Sequence, residues 1–170
     1  LHALTTVREG ARLAALTRDV ALTYLALGLD PKRAILFRQS DIPEVTELSW
    51  ILATVTPKSV MDGAHSYRDK TAKGIAPDMG LYTYPILMAA DILAYASDTV
   101  PVGKDQQQHL EIARDIAVKF NVQYAPRFDP QTGENAILKL PKALILDECA
   151  VVPGVDGQKM SKSYGNTIDI

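Results

Sequence analysis

The 170 residues are enough to form one domain with a sizeable core, and 47% hydrophobic with 22% charged residues is typical of an ordinary globular protein. A formal net charge of −2 argues against a strongly basic nucleic-acid-binding module, although it is compatible with a local basic patch. The single cysteine, Cys149, excludes an internal disulfide framework and a cysteine cluster for zinc, so a reducing cytoplasm is the expected location. No apolar stretch approaches the roughly 18 residues of a membrane helix.

The first predicted elements are two helices separated by a short strand. Apolar residues recur at spacings of three and four over residues 7–28, which predicts an amphipathic helix that stops at Gly28. The apolar run 34–37 has the length of a strand. The run Asp41-Ile42-Pro43-Glu44 then predicts a second helix with an aspartate N-cap, a proline in its first turn and a capping glutamate.

Strands and helices alternate through the second half of the sequence. The clearest predicted helix begins at Tyr84-Pro85 and runs to about Ala96. Residues 99–103 predict a buried strand that ends at a glycine. Asp105 begins a further helix, for which Asn121 is the expected end, and residues 143–146 predict another strand. This alternation predicts an α/β fold with a parallel sheet, and the glycine-, lysine- and serine-rich residues 154–165 predict a mobile loop.

The sharpest chemical motif is the run Lys159-Met160-Ser161-Lys162-Ser163. Two lysines three positions apart, among hydroxyl residues, supply mobile cations for the charge that develops on a departing pyrophosphate. A solvated lysine loop is the alternative, and it would be preferred for an arbitrary pentamer. A chance match to this particular pentamer has a probability on the order of 10⁻⁴, which favours the functional interpretation.

A second candidate site lies on the helix that begins near Tyr84. Tyr84, Met88 and Asp91 are spaced four and three apart and therefore share one helical face. An aspartate on an otherwise apolar helix is costly to bury without a partner, and a ligand N–H would be such a partner. The alternative is that Asp91 bonds a neighbouring backbone group or a lysine.

A third cluster surrounds the end of the predicted strand 99–103. A glycine at a strand end lets the backbone approach a ligand, and the N-terminus of the following helix favours anions. The alternative is an ordinary strand-to-helix turn with an aspartate cap. The residues concerned are Val100, Val102, Gly103, Lys104, Asp105, Gln106 and Gln107.

The pentamer at 159–163 resembles the signature of class I aminoacyl-tRNA synthetases, and the run from Gly80 to Asn121 resembles the tryptophanyl-tRNA synthetase family over its whole length. Tyrosyl enzymes share the architecture but typically carry glutamine where Met88 stands. The resemblance implies a Rossmann-like parallel sheet flanked by helices, with an inserted helical segment at roughly residues 41–80 that helps to form a homodimer. It also implies that Asp91 accepts the indole N–H of L-tryptophan.

The same resemblance implies the site residues. Those expected to bind the amino acid are His2, Tyr84, Met88, Asp91, Val100, Val102 and Gln106. Those expected to bind ATP are Lys70, Gly103, Lys104, Asp105, Val151, Val152, Lys159, Met160, Ser161, Lys162 and Ser163. Catalytic roles are implied for Lys159, Lys162 and Asp105, whereas Lys104 departs from the glutamate that is usual in the family. An exposed lysine in a polar loop is the alternative for Lys70.

The implied reaction uses ATP with Mg²⁺ to form tryptophanyl-adenylate and transfers tryptophan to tRNA(Trp), and no structural metal is expected. The sequence begins at Leu1 and lacks the glycine- and histidine-containing ATP motif of the family, so we expect a fragment without that N-terminal segment and without the C-terminal anticodon-binding domain. Such a fragment would be poorly active or inactive alone. The alternatives are tyrosyl-like specificity and a non-catalytic synthetase-like binding module.

Overall fold

The computed structural model describes residues 1–64, 78–145, 153–158, 160 and 165–166, without the side chain of Asp105. The chain divides into two compact units, Leu1–Asp91 and Ile92–Ile170. None of the helices in the described ranges is long and apolar enough to cross a membrane. The predicted site residues outside these ranges are Lys70, Val151, Val152, Lys159, Ser161, Lys162 and Ser163.

The first unit is helical. It contains α1 (Gly10–Ala26), α2 (Pro43–Val55), α3 (Lys58–Asp62) and most of α4 (Met79–Leu93), which extends two residues beyond the boundary. Short 3₁₀ turns span His2–Thr5 and Gln39–Asp41. Its buried hydrophobic residues come from α2, α3 and α4 and from the residues next to them: Val45, Leu52, Met61, Ala64, Leu81, Ile86, Ala89 and Ala90.

Helix α1 confirms the prediction for residues 7–28 and ends for the predicted reason. Gly28 adopts a left-handed backbone conformation with φ of 95°, which turns the chain so that the N–H of Leu29 bonds the carbonyl of Tyr24 at 3.0 Å. The N–H of Gly28 bonds the carbonyl of Leu25 at 3.1 Å. Both hydrogen bonds satisfy carbonyls that the helix leaves without a donor. No residue of α1 is buried.

Two predicted features upstream of α2 are wrong. Residues 35–38 have no assigned secondary structure, and Ile35 is 90% exposed, so the apolar run 34–37 does not form a strand here. Asp41 does not cap α2, because its carboxylate instead forms an ion pair with Arg38. Pro43 does stand in the first turn of the helix, where its missing N–H costs no hydrogen bond.

Helix α4 begins at Met79, five residues before the predicted start at Tyr84. The sequence pattern placed Pro85 in a first turn, but it lies inside the helix, where proline removes one backbone hydrogen bond at a cost of about 3 kcal/mol. Ile86, Ala89 and Ala90 are at most 5% exposed, and this burial offsets the cost.

The second unit is built around a strand–helix–strand connection. Strands β1 (Thr99–Pro101) and β2 (Lys142–Leu144) are parallel neighbours, with Val100 opposite Ala143. Helix α5 (Gln107–Tyr124) lies between them in the chain, as a parallel crossover requires. The predicted parallel pairing is confirmed for these strands, whereas the prediction that 99–103 is a buried strand is wrong, since Thr99 and Pro101 are exposed.

Helix α5 supplies much of the core of this unit. Its seven buried residues are His109, Leu110, Ile112, Ala113, Ile116, Ala117 and Asn121. Asn121 was expected to end the helix, but α5 continues to Tyr124 and the Asn121 side chain is fully buried. Its amide donates to the carbonyl of Leu138 at 2.7 Å and accepts from the N–H groups of Ile137 and Leu138 at 3.0 and 2.9 Å. Asn121 therefore fixes the segment that leads into β2.

Candidate amino-acid-binding site

The predicted site residue Asp91 is the centre of a hydrogen-bonded cluster in the first unit. The His2 ring donates from Nε2 to Asp91 Oδ2 at 2.8 Å. The Gln39 amide donates from Nε2 to Asp91 Oδ1 at 2.7 Å and to Oδ2 at 2.8 Å. We call these three residues the Asp91 cluster. It joins the start of the sequence, the 3₁₀ turn before α2 and the far end of α4.

Neither expectation for the surroundings of Asp91 matches this cluster fully. The non-functional alternative was that Asp91 bonds a neighbouring backbone group or a lysine. Its described partners are instead the side chains of His2 and Gln39. The hypothesis of a ligand site assumed that the Asp91 carboxylate is buried and has no partner until a ligand N–H binds. The side chain of Asp91 is instead 28% exposed and already accepts hydrogen bonds from His2 and Gln39. Removing a ligand N–H therefore leaves this carboxylate with other donors.

Two further predicted residues lie on the same helix as Asp91. Met88 and Tyr84 are half-buried, and they lie one and two turns before it, respectively. The Tyr84 ring meets the His2 ring edge-to-face, with centroids 6.2 Å apart and planes at 83°. This arrangement is one that aromatic rings favour. The structure thus brings His2, Tyr84 and Asp91 together.

A cavity of about 400 Å³ lies beside this group within the first unit. Of the predicted site residues, His2 and Tyr84 line it, whereas Asp91 and Met88 are not among its lining residues. Its walls combine aliphatic side chains with hydroxyl groups from the chain start, α2 and α4: Leu1, His2, Leu4, Thr5, Thr46, Ser49, Asp78, Gly80, Thr83, Tyr84 and Leu87.

Gln39 is the member of the Asp91 cluster that the sequence analysis did not identify. It comes two residues after the apolar run 34–37, and polar residues after apolar runs of strand length are frequent at α/β binding sites, which was the available signal. Arg38 and Asp41 fix the turn on both sides, because the Arg38 guanidinium donates to both Asp41 oxygens, at 2.7 and 3.0 Å. The same hydrogen bonds hold the pKa of Asp41 below its usual value.

The remaining described site predictions lie in the second unit, around the end of β1. Val100 belongs to β1, and the N–H of Val102 donates to the carbonyl of Leu144 at 3.0 Å. The carbonyl of Gly103 accepts from the N–H of Gln106 at 2.9 Å, which closes a 3₁₀ turn at residues 104–106. Helix α5 begins after this turn, two residues later than the predicted start at Asp105. Lys104 is exposed.

The described residues around the predicted signature loop form a hydrogen-bonded base. Asn166 is 3% exposed and donates from Nδ2 to Asp156 Oδ1 at 2.8 Å, and the N–H of Val155 donates to its backbone carbonyl at 3.2 Å. The amide of Asn166 lowers the pKa of Asp156. Gly154 has no room for a side chain, because a Cβ there would lie 2.5 Å from two Asn166 atoms. Met160, between these residues, is half-buried.

No group of three or more histidine, cysteine or acidic side chains in the described ranges could hold a metal ion.

Comparisons with known proteins agree over the whole sequence. The family model for tRNA synthetases class I (W and Y) matches residues 1–170. The tryptophan–tRNA ligase of Fusobacterium nucleatum is 55% identical over 169 residues, which are 99% of this chain and 49% of that protein. The tryptophan–tRNA ligase of Rhodopirellula baltica is also 55% identical, over 100% of this chain and 50% of that protein.

A crystal structure of tryptophanyl-tRNA synthetase from Campylobacter jejuni, complexed with ADP and tryptophan, superposes with a TM-score of 0.87 at 49% identity. It is matched over 99% of this chain and 50% of that one. The chain thus spans about half the length of the relatives it matches.

Proposed function

We propose, because the chain belongs to the class I tRNA synthetases of the W and Y family, that the protein containing it joins L-tryptophan to tRNA(Trp) at the expense of ATP. The proposal concerns the whole protein, since the chain spans about half of its relatives.

The proposed reaction has two steps. A carboxylate oxygen of tryptophan attacks the α-phosphorus of ATP, the bond from phosphorus to the bridging oxygen breaks, and pyrophosphate leaves. A ribose hydroxyl at the end of the tRNA then attacks the carbonyl carbon of the adenylate, loses its proton, and AMP leaves. No covalent bond to the enzyme is needed, so the protein contributes positioning and charge stabilisation.

The amino-acid site in this proposal is built on the Asp91 cluster. Asp91 accepts the indole N–H, while Tyr84 and Met88 shape the ring slot from the same helix face. His2 completes this side of the slot through its contacts with Asp91 and Tyr84. Val100, Val102 and Gln106, around the end of β1, are the further proposed contacts of tryptophan.

The ATP site is proposed around the turn after β1 and the signature loop. Gly103 lets the backbone approach the nucleotide, Asp105 helps to order the site, and the exposed Lys104 lies next to it. Lys159 and Lys162 stabilise the departing pyrophosphate, to which Mg²⁺ is bound as part of the ATP substrate. The other proposed ATP contacts are Lys70, Val151, Val152, Met160, Ser161 and Ser163.

We also propose the assembly and location expected for such an enzyme. Residues 41–80 form a helical insertion that contributes to a homodimer; α2 and α3 account for its described helices before α4. Trp50 on α2 is 74% exposed, which suits a residue at such an interface. The reaction takes place in the cytoplasm.

The observation that carries the tryptophan assignment is the Asp91 carboxylate. It lies on the helix face of Tyr84 and Met88, is 28% exposed, and is held by side chains from two other segments. An oriented and accessible acceptor beside an aromatic ring is what recognition of an indole N–H requires.

Calorimetric titration of the full-length protein with L-tryptophan and with L-tyrosine tests the proposal. Wild type should bind tryptophan saturably and prefer it to tyrosine, and Asp91→Ala should weaken tryptophan binding by at least about ten-fold, since it removes a hydrogen bond to a charged acceptor. Asp115→Ala, at an exposed position on α5, is the matched control and should bind like wild type.

Each result has a definite meaning. A preference for tyrosine would replace the proposed specificity and leave the family assignment standing. Tryptophan binding that is equal in Asp91→Ala and wild type would remove Asp91 from the site. Binding of neither amino acid, together with no tryptophan-dependent exchange of pyrophosphate into ATP, would overturn the proposed activity.

A further inference from the structure

Gln39 makes more hydrogen bonds to Asp91 than His2 does. Its amide nitrogen lies 2.7 Å from Oδ1 and 2.8 Å from Oδ2, so it spans both oxygens of a residue 52 positions away in the sequence. This geometry restrains rotation of the carboxylate plane more than a bond to one oxygen can. His2, in contrast, contacts Oδ2 alone.

The backbone that carries Gln39 is itself fixed. The residue lies in the 3₁₀ turn Gln39–Asp41, and the bidentate Arg38–Asp41 pair closes that turn from outside. The N–H of Asp41 also donates to the carbonyl of Arg38 at 2.9 Å. The turn ends at Asp41, and α2 begins two residues later at Pro43. A long, rotatable side chain therefore starts from a defined position.

Counting acceptor sites shows what this arrangement leaves for a ligand. A carboxylate offers about four lone-pair positions. In the described structure Oδ2 accepts from both His2 and Gln39, and Oδ1 accepts from Gln39. Oδ1 can thus accept a hydrogen bond from one further N–H. The amide of Gln39 determines in which direction the remaining lone pair of Oδ1 points.

We propose that Gln39 is a positioning residue for amino-acid selection, which orients the Asp91 carboxylate so that Oδ1 accepts the ring N–H of the substrate. The inference rests on the proposed function. It also limits how strongly the site can discriminate against a substrate without the ring N–H. Because Asp91 keeps its hydrogen bonds from His2 and Gln39, such a substrate loses one hydrogen bond but does not leave the carboxylate without donors. The affinities should therefore differ by about ten-fold to a hundred-fold.

The test uses the full-length protein and a pair of ligands that differ at one group. β-(3-Benzothienyl)-L-alanine replaces the indole N–H by sulfur and keeps the bicyclic shape. Wild type should bind tryptophan about ten-fold or more tighter than this analogue. Gln39→Met keeps side-chain length and packing but has no donor; it should weaken tryptophan binding by about ten-fold and largely remove the preference over the analogue, while the KM for ATP stays unchanged.

Two companion variants separate positioning from packing. Gln39→Asn keeps the amide but shortens the side chain by one methylene, so it should resemble Gln39→Met if reach to Asp91 is what matters. Gln131→Met, at an exposed loop position, should behave like wild type. In an Asp91→Ala background, Gln39→Met should cause no additional loss of tryptophan affinity, because the two residues act through one contact.

The outcomes distinguish this inference from the function on which it rests. If Gln39→Met retains the preference for tryptophan over the analogue, or if its effect adds to that of Asp91→Ala, the positioning role is wrong. If Asp91→Ala loses tryptophan binding while Gln39→Met and Gln39→Asn do not, the proposed function survives and this inference fails. If wild type binds neither amino acid and catalyses no tryptophan-dependent exchange of pyrophosphate into ATP, both are overturned.

Discussion

Helices α1 and α5 have nearly the same length, 17 and 18 residues, and both carry apolar residues at helical spacing, yet they differ sharply in burial. Seven residues of α5 are buried and none of α1 is. On α1, Leu16, Val20 and Tyr24 are 39%, 51% and 51% exposed. An apolar stripe therefore predicts which face of a helix is suited to packing. It does not predict that other residues of the described chain bury that face.

The comparison implies that different forces hold the two helices in this chain. Packing and buried hydrogen bonds dominate in α5. Local backbone geometry carries more weight in α1, where the Gly28 end satisfies Tyr24 and Leu25. Substitutions on each helix should separate these contributions.

The largest expected effect is from leucine truncation. Leu110→Ala on α5 should lower the free energy of unfolding by about 3 kcal/mol, because Leu110 is 2% exposed and its removal leaves a cavity. Leu22→Ala on α1 is the matched control; Leu22 is 53% exposed, so the cost should stay within about 0.5 kcal/mol. Urea denaturation followed by circular dichroism measures both. Equal costs would show that α1 is packed in solution and would erase the contrast.

The next effect tests the polar part of the α5 core. Asn121→Ala removes the acceptor of two part-buried hydrogen bonds and should cost about 2 kcal/mol. Hydrogen exchange should rise at the amides of Ile137 and Leu138 before it rises elsewhere in the second unit. If those amides remain as protected as in wild type, Asn121 is not their main acceptor.

The smallest effect tests the end of α1. Gly28→Ala should cost about 1 kcal/mol, because a Cβ is unfavourable at a φ of 95°. Gly10→Ala is the control, since nothing lies within 4 Å of a Cβ at Gly10 and its φ is not in the left-handed region. Thermal unfolding compares the two. A Gly28→Ala variant as stable as wild type would mean that the left-handed turn does not hold the helix end.

The existence of the helices could be predicted from the sequence better than their ends. Gly28 ended α1 as predicted, because a left-handed residue is a local property that the sequence carries. Pro85 misled the prediction of where α4 begins, since proline is common in a first turn, and only tertiary burial of Ile86 and Ala89 explains its place inside the helix. The predicted helix end at Asn121 was wrong for a similar reason, because the hydrogen-bond partners of this side chain lie 16 and 17 residues away.

In the candidate site, too, local features could be predicted from the sequence and long-range contacts could not. Tyr84, Met88 and Asp91 could be selected because their spacing on one helix is a local fact. Gln39 was not selected, because its contact with Asp91 spans 52 residues that no periodicity encodes, and its place after an apolar run was only a weak signal. The roles of Val100, Val102 and Gln106 stay predictions, as do those of the signature lysines.

The contact between His2 and Asp91 also makes the imidazole a spectroscopic reporter. A carboxylate only accepts hydrogen bonds, so the 2.8 Å bond requires a hydrogen on Nε2. When the ring is neutral, His2 therefore exists as the Nε2–H tautomer with a bare Nδ1. The ¹⁵N shifts of the two ring nitrogens differ strongly between tautomers. A single histidine resonance pair can thus report whether the Asp91 cluster is formed in the protein without ligand.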